Sequence, residues 1–190
     1  MNHLMIDLET MGNKPSAPIV AIGAVFFEPK TGALGEQFYV GVKLESAMQL
    51  GCQPDASTIL WWIEQNREAQ EAITSADNVD IKLALGMLCN FVYDYCESPK
   101  YLTVWGNGAA FDNVILRNSY ELAGIKAPWN WYNDLDVRTV VKMGIAIGFD
   151  QKRDMPFDGE RHNALADAIH QAKYVSFIWQ RLIGSLITPN

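Results

Sequence analysis

The chain has 190 residues, of which 49% are hydrophobic and 19% charged, and a formal net charge of −7. These values predict one globular domain over residues 1–190, long enough to bury a substantial core. The negative charge argues against a broad surface for duplex nucleic acid, which requires a basic stripe. It does not exclude a site that contacts only the last few nucleotides of a strand.

No segment predicts a membrane span or an export signal. The longest near-continuous apolar run, PIVAIGAVFF, is far shorter than the roughly 20 residues that cross a bilayer. The N-terminal sequence MNHLMIDLET lacks a basic region and already contains an acid at residue 7. Three cysteines do not make a disulfide framework. We therefore expect a cytoplasmic protein that does not associate with membranes.

The first part of the chain predicts three antiparallel strands. Residues 3–9 alternate between two faces, one apolar and one that carries Asp7 and Glu9. Two further strand patterns, PIVAIGAVFFEP and EQFYVGVKL, are joined by the turn-rich segment PKTGALG. Such hairpin-like connections favour antiparallel neighbours.

The rest of the chain alternates between helix and strand patterns, which together predict an α/β fold with a mixed sheet. Helices are predicted within STILWWIEQN, VDIKLALGMLCNFVYDYC and FDNVILRNSYELAG, the last ending at Gly124. YLTVW predicts a short strand, and WNWYNDLDVRTVVKMG a short strand followed by a short helix. Residues 144–161 predict a long loop, after which Asn163 caps a final helix over residues 164–183.

Four acids fall at positions where they can converge. Asp7 and Glu9 end the first strand, Asp112 follows the strand YLTVW, and Asp167 lies in the first turn of the last helix. Each acid alone has a structural explanation, either a hydrated strand end or an acid favoured by a helix dipole. In a compact mixed sheet, however, all four can meet at one edge. Four carboxylates without cysteine ligands predict a site for two hard divalent cations, Mg²⁺ or Mn²⁺.

A histidine stands beside this predicted site. The chain has three histidines, and His162 directly precedes the final helix, five residues before Asp167. A neutral imidazole there could take a proton from an attacking water as a general base. Asp134 and Asp136 in DLDVRT could also suggest metal ligands, but we interpret them as residues at the start of a helix.

Three motifs resemble those of the DEDDh family of 3′→5′ exonucleases: DLET with Asp7 and Glu9, NGAAFD with Asp112, and HNALADA with His162 and Asp167. The resemblance implies a ribonuclease H-like α/β fold, with a mixed five-stranded sheet of three antiparallel strands and then parallel strands, flanked by helices. It also implies that the four acids hold two divalent cations and that His162 is the base. The expected reaction is hydrolysis from the 3′ end of single-stranded nucleic acid, releasing nucleoside 5′-monophosphates.

The resemblance extends to residues that would bind substrate. In the family, residues just after the first motif line the terminal nucleotide, and PDASTILWWIEQ resembles small stand-alone members described as exoribonucleases or exodeoxyribonucleases. A tryptophan of that segment could stack on a base, although at least one of the two is expected in the core. Phe111 has the same two alternatives of substrate contact and core packing, and Asn107 could either orient the site or cap its loop. The candidate substrate-binding residues are Thr10, Met11, Gly12, Trp61, Trp62, Asn107 and Phe111.

The sequence leaves several questions open. The subfamily resemblance favours RNA over DNA, and the family resemblance suggests a homodimer, although no interface can be identified. Because the chain enters its first predicted strand almost at once and ends a few residues after its last predicted helix, we expect a stand-alone enzyme rather than a polymerase subunit. A ribonuclease H-like endonuclease would also use four acids and two metals, but it would lack the His–x₄–Asp arrangement. A catalytically silent nucleic-acid-binding module of the same fold is typically missing a carboxylate or the histidine, and here none of the five is missing.

Overall fold

The computed structural model describes residues 1–157 and 162–187 and is built around a mixed sheet of five strands. The strands are β1 (His3–Thr10), β2 (Ile19–Glu28), β3 (Ala33–Gly41), β4 (Thr103–Gly106) and β5 (Asp134–Asp136). Their order across the sheet is β3-β2-β1-β4-β5. β1, β2 and β3 pair antiparallel, whereas β4 is parallel to β1 and β5 is parallel to β4. The predicted sheet of three antiparallel strands followed by parallel strands is confirmed.

Helices follow the first three strands and alternate with the last two. They are α1 (Leu44–Gln49), α2 (Ala56–Ile63), α3 (Arg67–Thr74), α4 (Ile81–Tyr95), α5 (Asp112–Ala123), α6 (Val137–Ala146), α7 (Gln151–Asp154) and α8 (Ala164–Ile187). The five predicted helices correspond to α2, α4, α5, α6 and α8, whereas α1, α3 and α7 were not predicted. Among the described residues, no helix is both long and apolar enough to span a membrane.

The prediction of a continuous loop over residues 144–161 is wrong in part. Gly144 lies inside α6, where its lack of a side chain lets α8 approach: a Cβ there would be 2.7 Å from Ile178 Cδ1. The short helix α7 also lies in this segment, and the Asp150 side chain caps it by accepting a hydrogen bond from the Lys152 N–H. Residues 158–161, at the end of the predicted loop, lie outside the described part of the chain.

Helices cover both faces of the sheet, and the alternation of β1 divides its side chains between them. Leu4, Ile6 and Leu8 pack in one core with α4 and α5. Met5 packs on the opposite face, in a second core with α6 and α8. Because side chains alternate along a strand, Asp7 and Glu9 share the α8 face with Met5.

A glycine in β2 brings the start of α8 close to the acids of β1. Gly23 pairs with Asp7 across the two strands. A Cβ at Gly23 would lie 2.2 Å from the Ala164 carbonyl carbon, closer than any real contact. The first turn of α8 therefore rests on the sheet beside Asp7, and this contact carries Asp167 into the same region.

Candidate active site

Carboxylates from three separate elements meet near the C-terminal end of β1. Asp7 and Glu9 extend from β1 and Asp167 from the first turn of α8, and one carboxylate oxygen of each lies within 4.8 Å of the others. Asp112, the first residue of α5, is 2% exposed and accepts a hydrogen bond from the Leu8 N–H at 3.3 Å. The structure thus places three of the predicted acids in one tight group and holds Asp112 directly beside it.

Burial, together with the proximity of these acids, makes their ionisation unfavourable. Burial, and then the charge of Asp112, holds the pKa of Asp7 well above its ordinary value. Burial, followed by the charges of Asp167 and Asp112, raises the pKa of Glu9 to about 7. Burial also raises the pKa of Asp112 to about 7, although the hydrogen bond from Leu8 opposes this change. Clustered oxygen donors that repel one another fit hard divalent cations, which would supply the missing positive charge.

His162 lies at the edge of this group, immediately before α8. Its backbone adopts a left-handed conformation with φ of 64°, which is uncommon for a residue other than glycine. Its ring stands perpendicular to that of Trp61, with ring centres 4.9 Å apart. The predicted cap at Asn163 is present, because its side-chain oxygen accepts a hydrogen bond from the Ala166 N–H at 3.0 Å. The histidine is therefore held between α2 and the start of α8.

The two tryptophans of α2 have different surroundings. Trp62 is 3% exposed, and its Nε1 donates to the Thr10 carbonyl at 3.0 Å, which ties α2 to the end of β1. It packs in a small apolar cluster with Met11 and Val20. Trp61 is 40% exposed. The expectation that at least one tryptophan belongs to the core is therefore confirmed for Trp62.

Two cavities flank the acids and share part of their walls. The α2 cavity, of about 390 Å³, lies between the end of β1 and α2 and includes Asp7 and Glu9. The α7–α8 cavity, of about 560 Å³, lies between those two helices. The residues common to both cavities are Asn107, His162, Asp167 and Gln171. The acidic group therefore lies at the junction of two spaces, each large enough for a small ligand.

Most of the predicted substrate-binding residues line the α2 cavity. They are Thr10, Gly12, Trp61, Trp62, Asn107 and Phe111. Met11 is the exception, because its side chain lies in the apolar cluster behind Trp62 and does not line the cavity. Gly12 has little room for a side chain, since a Cβ there would be 3.0 Å from Asp55 Oδ2.

Sequence reasoning missed Gln171, which contacts the acidic group directly. Gln171 Nε2 donates to Asp7 Oδ1 at 2.7 Å, and the residue is 4% exposed. It lies four residues after Asp167, so both side chains occupy one face of α8. That spacing is a signal that could have identified it.

Asp136 supports the loop that precedes Asp112, and Asp134 supports the helix α5 that begins with Asp112. Asp136 caps α6 as interpreted from the sequence, and it also accepts a hydrogen bond from the Ala109 N–H at 3.0 Å. The interpretation of Asp134 as a helix-start residue is wrong, because it lies in β5. There its carboxylate accepts hydrogen bonds from Asn113 and Trp129 and pairs with Arg117. This network fixes the start of α5, which carries Asp112.

Known proteins resemble this chain in sequence and in fold. An exodeoxyribonuclease of Enterobacteria phage T4 is 25% identical over 163 residues, which cover 75% of this chain and 71% of that protein. The nuclease domain of 3′hExo, a DEDDh family member bound to rAMP, is 19% identical with a TM-score of 0.59, covering 96% of this chain and 92% of that one. E. coli exonuclease I in complex with a dT13 oligonucleotide is 17% identical with a TM-score of 0.62. That match covers 98% of this chain but only 43% of exonuclease I.

These structural relatives confirm the ribonuclease H-like fold of the DEDDh exonucleases that the sequence motifs predict. A family model extends the likeness over nearly the whole sequence. The model of the 3′-5′ exoribonuclease Rv2179c-like domain matches residues 2–179. The chain therefore belongs to the family of Rv2179c-like 3′-5′ exoribonuclease domains.

Proposed function

We propose that residues 1–190 form one exonuclease domain that removes nucleotides from the 3′ end of single-stranded nucleic acid, with RNA favoured over DNA. Each cycle releases a nucleoside 5′-monophosphate. The observation that carries the proposal is the group of Asp7, Glu9 and Asp167 with Asp112 beside it, at the junction of two cavities. A scissile phosphate at this junction would have one nucleotide on each side.

The four acids would hold two divalent cations, Mg²⁺ or Mn²⁺. When bound, such cations activate water and stabilise the charge that develops on the phosphate and on the leaving oxygen. The raised pKa values of Asp7, Glu9 and Asp112 support this assignment, because ionising these buried neighbours is unfavourable without added positive charge. The protein would contribute the fixed spacing of the oxygen donors.

His162 would act as the general base. In the reaction, a water oxygen bonds to phosphorus, and the bond from phosphorus to the 3′ oxygen of the upstream nucleotide breaks. The imidazole would take the proton of the attacking water, and the leaving 3′ oxygen would take a proton from bulk water. The position of His162 supports this role, since its ring lines both cavities and rests against Trp61.

The α2 cavity would hold the terminal nucleotide. Its walls combine the exposed ring of Trp61 and that of Phe111 with the backbone around Gly12. Stacking on an aromatic ring contributes about 1–3 kcal/mol per base and tolerates any sequence. Trp62 and Met11 would support this cavity indirectly, because they hold α2 against the end of β1.

The comparisons support both RNA and DNA as the candidate substrate. The family description favours RNA, whereas the T4 relative is an exodeoxyribonuclease and makes DNA a second candidate. The test uses a 5′-labelled single-stranded RNA and its DNA counterpart, each incubated with the protein and Mn²⁺. We expect a ladder that shortens from the 3′ end, forming faster on RNA, and no products in EDTA.

Other outcomes of this test would point to the alternative functions. Cleavage of a circular single strand would indicate an endonuclease, and binding without cleavage would indicate a silent nucleic-acid-binding module.

Homodimerisation and a cytoplasmic location remain predictions. Sedimentation as a monomer at micromolar concentration would exclude the homodimer.

A further inference from the structure

The α7–α8 cavity contains buried polar groups that lack protein partners. Gln171 is 4% exposed, and its Nε2 is engaged by Asp7, but its Oε1 has no hydrogen-bond partner among the described residues. Gln151 Oε1, from the opposite wall, is also buried and without a partner there. Buried acceptors are normally satisfied. These two oxygens therefore indicate a ligand that carries hydrogen-bond donors.

The cavity wall also carries aromatic rings and a cation. The rings of Phe157 and His170 lie 5.0 Å apart, and those of His170 and Tyr174 lie 5.3 Å apart, each pair nearly perpendicular. Lys152 is exposed at the rim, and its Nζ forms no hydrogen bond or ion pair within the described parts of the chain. Aromatic rings, a cation and hydrogen-bond acceptors together suit a nucleotide, with its base, phosphate and sugar hydroxyls.

The position of the cavity identifies which nucleotide it would hold. The proposed function places the terminal nucleotide in the α2 cavity and the scissile phosphate at the acids. The upstream nucleotide, whose 3′ oxygen is the leaving group, must then lie on the other side of the acids. The α7–α8 cavity opens there, because it shares His162, Asp167 and Gln171 with the α2 cavity.

We propose that the α7–α8 cavity binds the nucleotide on the 5′ side of the scissile phosphate, and that Gln171 Oε1 accepts a hydrogen bond from its 2′-hydroxyl. This inference rests on the proposed function. The 2′-hydroxyl is attached to the carbon next to the one that bears the leaving oxygen, so it lies close to the acids. The carboxylate of Asp7 accepts from the Gln171 amide nitrogen, which turns the amide oxygen away from Asp7. The enzyme would therefore select a ribonucleotide at the penultimate position.

The test compares three otherwise identical single strands of RNA: one fully ribose, one with a single 2′-deoxy sugar at the penultimate position, and one with it at the terminal position. The quantity measured is kcat/KM for removal of the first nucleotide in Mn²⁺. Loss of one hydrogen bond predicts that the penultimate deoxy sugar lowers kcat/KM by about tenfold. The terminal deoxy sugar should have a smaller effect.

Two matched variants identify the residue responsible. Gln171→Met should bring the ratio of kcat/KM between the fully ribose and penultimate-deoxy strands close to one, whatever happens to absolute activity. Gln180→Met is the control, because Gln180 lies on the same helix and donates to the Pro29 carbonyl. It should keep the wild-type ratio.

Each contrary result has a distinct meaning. A wild-type ratio near one would overturn the inference and leave the exonuclease intact. A ratio that persists in Gln171→Met would overturn the assignment of the hydroxyl contact to this residue. Failure of the wild type to hydrolyse any of the three strands would overturn the proposed function and the inference with it.

Discussion

The Glu9 carboxylate should destabilise the metal-free fold, so Glu9→Gln should stabilise that fold while abolishing hydrolysis. Burial and the charges of Asp167 and Asp112 raise the pKa of Glu9 from its ordinary value of 4.5 to about 7. Between pH 4.5 and about 7, the folded protein therefore binds more protons than the unfolded chain. Consequently the contribution of Glu9 to stability is present below about pH 4.5 and is lost as the pH rises through 7.

The size of the effect follows from the shift in pKa. Each unit corresponds to about 1.4 kcal/mol, so the ionised Glu9 opposes folding by about 3 kcal/mol when no cation is bound. Glutamine keeps the shape of the side chain and removes its charge. We expect Glu9→Gln to gain about 2–3 kcal/mol in the free energy of unfolding above pH 7, or about 5–10 °C in melting temperature.

The assay is thermal unfolding in EDTA at several pH values, with Glu36→Gln as the control for an exposed glutamate of β3. The gain should be absent near pH 4, appear as the pH rises, and shrink when Mn²⁺ is added, since the cation stabilises the wild type more than the variant. A gain that is the same at every pH, or no gain at all, would refute the electrostatic reasoning.

Three further substitutions test separate parts of the site. His162→Ala should lower turnover by about 10²–10⁴-fold while leaving binding of metal and substrate largely intact, and unchanged turnover would remove His162 from the mechanism. Asp112→Ala should abolish metal-dependent hydrolysis in a protein that still folds by circular dichroism; retained activity would contradict its place at the site. Gly23→Ala should force the start of α8 away from β2, because its Cβ would overlap Ala164. We expect the free energy of unfolding to fall by about 1–3 kcal/mol and kcat to fall as well. A variant that melts and turns over like the wild type would show that this contact does not position Asp167.

Local periodicity was sufficient to predict the strand that carries the first two acids. The alternation of residues 3–9 predicts which side chains share a face, and the structure confirms that Asp7 and Glu9 lie opposite Leu8. Helix ends with local signals were also predictable. Gly124 ends α5 in a left-handed conformation with φ of 68°, and Asn163 caps α8 through its own side chain.

Features that depend on contacts between distant segments were not predictable in this way. Gly23 is one small residue in an apolar strand, and only the position of α8 shows why a side chain cannot fit there. Asp134 resembles a helix-start acid in sequence, yet its partners Arg117 and Asn113 come from α5. The prediction of a loop at Gly144 was wrong because it also depends on a distant segment: Ile178 of α8 packs against that glycine.

The two tryptophans of α2 show the limit of pattern reasoning for the site itself. Both belong to one apolar segment, and the sequence alone assigns neither to the substrate side. The structure separates them: Trp62 packs in the apolar cluster and donates a hydrogen bond to the Thr10 carbonyl, whereas Trp61 is partly exposed beside His162.

We propose that the acidic group hydrolyses a strand one nucleotide at a time from its 3′ end. The most direct test is the first product released from a 3′-labelled single-stranded RNA in Mn²⁺, measured for the wild type and for Asp7→Asn. We expect the label to appear at once as a nucleoside 5′-monophosphate with the wild type and to stay in the full-length strand with the variant. Label released first in longer fragments, or equal release by the variant, would contradict it.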